Sequence, residues 1–179
     1  MNKLIVILCI YCLFSCAEQK KSIEPENLRT IIKCAIDALT SDKWFLTDYY
    51  DYLNYFTLVP YKYHTPPDSL NSLITYKYYG TMKVVALDTN NIKCLHDIFP
   101  RKTSLQFVDM NVIDKIRWQK VPVDKISFWA IGEFRQLNDI YYIEVGYSMT
   151  GKSGEFGKFL IQLDSSNTCR ILDIQLSVS

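Results

Sequence analysis

The chain has 179 residues, 49% hydrophobic and 14% aromatic, with 20 Lys and Arg against 19 Asp and Glu. That much apolar side chain offsets the ordering entropy of one globular domain and excludes wholesale disorder. A formal charge of +1 provides no concentrated basic field, so no nucleic-acid partner is expected.

Lys3 precedes an unbroken apolar run from Leu4 to Phe14. As a helix this run rises about 16 Å, roughly half of a hydrocarbon core, so it reads as a signal peptide over residues 1–15 rather than a membrane span. Ser15 and Cys16 follow, and then the composition turns polar at Ala17-Glu18-Gln19-Lys20-Lys21.

Leu13-Phe14-Ser15-Cys16 resembles the lipobox of bacterial lipoproteins, with an apolar residue three before the cysteine and a small residue just before it. The resemblance implies that Cys16 carries diacylglycerol on sulfur, becomes the new N-terminus and is acylated there with a palmitate-type chain. Two or more chains suffice for lasting membrane attachment. A cell-envelope lipoprotein is therefore expected. Ala17 stands where an aspartate would retain some lipoproteins at the inner membrane, which points toward the outer one.

Residues 16–23 read as the lipidated cysteine and a short tether, and residues 24–179 as a single α+β domain. Three thiols remain in it, Cys34, Cys94 and Cys169, each among apolar neighbours. Free buried thiols are the expectation, with one disulfide among the three as the alternative.

Leu28, Ile31, Ile32, Ala35, Ile36 and Leu39 recur at helical spacing behind Pro25 and the acids Glu24 and Glu26, predicting an amphipathic helix that ends at Thr40-Ser41-Asp42. The aromatic stretch from Trp44 to Tyr63 fits either a helical face or a strand over Asn54 to Val59. His64-Thr65-Pro66-Pro67-Asp68 is a loop, and Asp68 can cap a short helix to about Tyr78. Thr81 to Leu87 reads as a strand, and residues 92–125 carry no clear pattern.

Four alternating runs then follow, Ile126 to Gln136, Ile140 to Met149, Glu155 to Leu163 and Cys169 to Val178, separated by turn residues. They predict a C-terminal antiparallel meander of about four strands, with the helix packed on it. Tyr141, Ile143, Val145, Tyr147, Met149, Phe159, Ile161, Leu163, Leu172, Ile174, Leu176 and Val178 are assigned to the core face. Glu144, Ser148, Lys158, Gln162, Asp173 and Gln175 are assigned to a wetter one. In outline this order is similar to the cystatin-like and NTF2-like folds.

Gly146-Tyr147-Ser148-Met149-Thr150-Gly151-Lys152-Ser153 satisfies the phosphate-loop pattern GxxxxGK[ST]. A working loop needs a helix behind it whose first amides point at phosphate, whereas Glu155 to Leu163 reads as a strand, so a hairpin turn and no nucleotide are expected. Cys94-Leu95-His96-Asp97 lacks the four-ligand spacing of a zinc site, so no metal and no cofactor are expected. Among the strand carboxylates Glu133, Glu144 and Asp173, the residues Glu144, Lys158 and Asp173 are the candidate ligand-facing set, and no catalytic residue is assigned. The reading is a lipid-anchored envelope protein that binds an unidentified small molecule or protein without catalysis. The alternatives are an envelope hydrolase with scattered acids and an inhibitor or immunity-type lipoprotein.

Overall fold

Pro25 opens the helix α1 (Pro25–Leu39) at a position where its missing N–H costs nothing, and Leu28 N–H donates to the Glu24 carbonyl at 3.1 Å. Thr40 N–H donates to the Ile36 carbonyl at 2.9 Å, and the Ser41 hydroxyl to the Ala38 carbonyl at 2.8 Å, which closes the C-terminal end. Leu28, Ile31, Ile32, Cys34, Ala35, Ile36 and Leu39 are buried. Each large aliphatic in that stripe contributes about 1.5–3 kcal/mol of transfer free energy, which is what holds a helix of this length in place. The computed structural model describes residues 23–41, 53–58, 77–87, 106–111, 127–149 and 154–178. The leader, Cys16, the tether through residue 22, Cys94 and both histidines lie outside the described residues. So do most of the aromatic stretch, the helix expected from Asp68 and the turn at 150–153.

Among the described residues seven strands form one sheet: β1 (Leu53–Leu58), β2 (Lys83–Val84), β3 (Gln106–Phe107), β4 (Ser127–Leu137), β5 (Ile140–Met149), β6 (Glu155–Leu163) and β7 (Cys169–Val178). Their order is β3-β1-β4-β5-β6-β7, with β2 pairing β4 beside the path. The four meander strands match the alternating runs to within one residue. The fold is thus α+β, but the strand count exceeds the expected four. β1 lies parallel between β3 and β4, and β2 is antiparallel to the end of β4. The strand expected over Thr81 to Leu87 shrinks to β2, because Tyr79–Thr81 wind into a single 3-10 turn ahead of it. Asn138 (φ 55°) turns β4 into β5 and Asn167 (φ 60°) serves the β6–β7 turn; both occupy the left-handed region that asparagine tolerates.

The main core lies between α1 and one sheet face, where Trp129, Ile131, Phe134, Tyr141, Ile143, Val145, Phe159, Ile161 and Leu163 are buried with the helix stripe. Among the described strands the register shifts at three places, in β1, β4 and β7, and those in β4 and β7 change which face later side chains meet. In β7 the register slips between Leu160 and Ile161, so Ile171 faces the α1 core while Leu172 packs with Met82, Tyr142 and Leu160 on the other face. This corrects the single-face assignment of Leu172, Ile174, Leu176 and Val178, because one extra residue inverts the alternation. Ile174 and Leu176 stay exposed at 40% and 58%.

The other face is also drier than expected. Tyr142 and Leu160 are fully buried beneath Met82, and Phe128 and Ala130 beneath Val108 and Met110. Short segments elsewhere in the chain cover it, so polar alternation on the strands alone does not report its wetness.

The expectation of free thiols at all three cysteines is corrected as well. Cys34 and Cys169 form a disulfide with a Cα–Cα separation of 6.5 Å. Cys34 stands on the buried stripe of α1 and Cys169 opens β7, so the apolar neighbours that suggested isolated burial are the seam that brings them together.

Candidate functional site

Glu133 reaches the second sheet face through a bulge. Ile131 pairs with Val145 and Phe134 with Ile143, so Gly132 and Glu133 share one step of the ladder and Glu133 leaves the α1 core. A glycine inside an alternating strand is the sequence signal for such a bulge, and Ile131-Gly132-Glu133-Phe134 carries it. Glu133 is 4% exposed, so a carboxylate is buried here and needs partners.

The partners come from β4 and the 3-10 turn. Arg135 Nε donates to Glu133 Oε1 at 2.8 Å, with Nη2 to the same oxygen at 2.7 Å, and the Tyr79 hydroxyl donates to Oε2 at 2.6 Å. The guanidinium also lies 4.0 Å from the centroid of the Tyr79 ring and donates through Nη1 to the Tyr79 carbonyl at 3.3 Å. A cation over a phenol face and a bond to its backbone tie residue 79 to the sheet at two points.

A second carboxylate–phenol pair sits beside the first. Tyr142 donates to Glu144 Oε1 at 2.7 Å, and the Glu133 backbone N–H reaches Glu144 Oε2 at 3.4 Å. The rings of Tyr79 and Tyr142 meet edge to face, 5.0 Å between centroids. Burial, then the hydrogen bond and charge of Glu133, push the Tyr79 phenol well above its ordinary range. Burial, then the charge of Glu144, do the same to Tyr142. Both phenols therefore remain protonated donors at neutral pH. That is opposite to the tuning a general base requires, a pKa brought near the working pH.

Of the residues singled out in sequence, Glu144 and Lys158 stand directly opposite each other across β5 and β6, and Lys158 stands opposite Gln175 on β7. Asp173 is opposite Leu160, two pairs further along, and its Oδ1 accepts the Ile174 backbone N–H at 2.9 Å. The structure therefore brings the three onto one face of adjacent strands. Glu133, Arg135, Tyr79 and Tyr142, which complete the network, were not legible as a group. Their meeting depends on the bulge and on a turn about 50 residues upstream.

A recess of about 380 Å³ lies at one end of the sheet, lined by Asn27, Asn138, Asp139, Tyr141, Asp164 and Asn167 among others. None of Glu144, Lys158 and Asp173 lines it. Burial, with Asp139 adding to it, raises the Tyr141 phenol, while the Ser166 hydroxyl and the Thr168 N–H lower the Asp164 carboxyl. Among the described residues no group of three or more His, Cys, Asp or Glu side chains is placed to hold a metal ion.

Gly146, Tyr147 and Ser148 of the phosphate-loop pattern are paired in β5, and the residues that follow the pattern form β6. A Cβ at Gly146 would sit 2.6 Å from the Glu155 carbonyl oxygen, so the glycine is there for close packing of β5 on β6. Compared with known proteins, the chain matches no protein-family model, no curated protein and no solved structure.

Proposed function

We propose that the chain is a lipid-anchored cell-envelope protein, held by acyl groups on Cys16, whose α+β domain binds a ligand or protein partner without catalysis. The observation that carries the envelope assignment is the Cys34–Cys169 disulfide, because such bonds persist in exported proteins and are rare in a reducing cytosol. It agrees with the signal-type leader and the lipobox-like Leu13-Phe14-Ser15-Cys16.

What supports binding over catalysis is the occupancy of the acidic groups. Glu133 and Glu144 accept from Tyr79, Arg135, Tyr142 and a backbone amide. These bonds spend the carboxylates on holding the 3-10 turn to the sheet. The stripe buried on α1 supports reading that helix as the amphipathic cover of the meander.

The experiment is acyl labelling of the precursor in a bacterial host, beside the Cys16→Ser variant. Acyl label and processing are expected in the parent and neither in the variant. Label that persists in the variant overturns the assignment.

A further inference from the structure

Only one end of the domain is within reach of an anchor at Cys16. The first of the described residues after that cysteine is Ile23, a core residue 5% exposed. Residues 16 to 23 are seven links, which extend to about 25 Å at most and average about 15 Å when flexible. Ile23 precedes α1, and Asn27 in the first turn of that helix lines the same recess as Asn138, Asp139, Asp164 and Asn167. The tether therefore joins at the end that carries the β4–β5 and β6–β7 turns. At the opposite end Tyr147 is paired with Glu155 and Glu155 with Val178, and the Tyr147 hydroxyl donates to Glu155 at 3.2 Å.

Ile140 and Met149, the two ends of β5, lie nine residue rises apart, about 30 Å. Inverting the domain, so that the Met149 end of β5 touched the bilayer, would lift Ile23 about that far from the headgroups, beyond the roughly 25 Å that the seven links of the tether can span. Resting on the proposed acylation of Cys16, we infer that the surface built from Asn27, Asn138, Asp139, Asp164 and Asn167 faces the phospholipid bilayer, and that the Tyr147–Glu155 end points away from it.

Glu24, Glu26, Asp139 and Asp164 lie at the bilayer end together with Arg29 and Arg170. Among the described residues that end shows no basic cluster of the kind that draws a protein onto anionic lipid. The anchor and the length of its tether set the posture, and the recess lies at the lipid interface.

The test uses the full acylated protein in vesicles, in a Cys94→Ser background, with a spin label at Ser165→Cys or at Ser177→Cys. Both positions are exposed, one at each end. Headgroup-chelated nickel is expected to relax the label at 165 several-fold more than the label at 177. Inserting about 20 Gly and Ser residues after Lys20 is expected to erase the difference. With acyl label present, equal or reversed relaxation overturns the orientation and leaves the lipoprotein assignment intact. Loss of acyl label overturns that assignment and the orientation with it.

Discussion

The Tyr79 hydroxyl donates to the buried carboxylate of Glu133 at 2.6 Å, across 54 positions of sequence. This bond fastens the 3-10 turn over the second sheet face, where Met82 covers Tyr142 and Leu160. Tyr79→Phe keeps the ring under Arg135 but strips the carboxylate of one donor. A hydrogen bond to a charged group contributes about 1.5–3 kcal/mol, and that loss is expected in denaturant unfolding. Tyr78→Phe is the control, expected to stay within about 0.5 kcal/mol. Equal, small effects would show that Glu133 is satisfied without Tyr79.

The Cys34–Cys169 disulfide closes a loop of 135 residues and links α1 to the start of β7. Loop closure of that length restricts the unfolded chain, and removing a native bridge costs about 2–5 kcal/mol. The Cys34→Ser and Cys169→Ser variants should each lose this amount, and so should the reduced parent. The double variant should lose no more than either single, because the same bond is removed. The check is unfolding by urea with thiol counting by mass spectrometry.

The buried Tyr142 phenol gives stability an alkaline limit. Its folded pKa is raised above the unfolded value of about 10, so the folded state holds a proton that the unfolded chain releases above that pH. Stability from this group is fully present below about pH 10 and is lost as pH rises further, by up to about 1.4 kcal/mol per pH unit. Melting temperatures between about pH 9 and 11 should fall, and Tyr142→Phe should flatten that fall. An unchanged slope in the variant would mean that the phenol ionises in the folded protein.

Gly146→Ala should destabilise the β5–β6 hairpin by about 1–3 kcal/mol, the usual cost of overpacking. The added methyl would meet the Phe156 ring and the Glu155 carbonyl oxygen, and a backbone atom yields less readily than a side chain. Gly80→Ala, with open space around its Cβ, serves as the comparison. Thermal melts of the two variants decide the matter.

The amino-acid sequence by itself determined α1 and the four meander strands, including their bounds to within a residue. In these segments a single buried face imposes period 3.6 or period 2 on the apolar residues, and Pro25, Asn138 and Asn167 mark ends whose backbone few residues can adopt. Tertiary structure alone decided what happens between those segments. β1 gains its place from parallel pairing with β4 about 70 positions away, which no local pattern encodes. The bulges at Glu133 and Leu172 each add one residue, and one residue inverts every later side chain, so membership of a face is not additive along the chain. The Tyr79–Glu133–Arg135 network and the Cys34–Cys169 bond form only where separate segments converge. The bonding capacity of each residue was legible alone, but its partner was set by the packing of the whole domain.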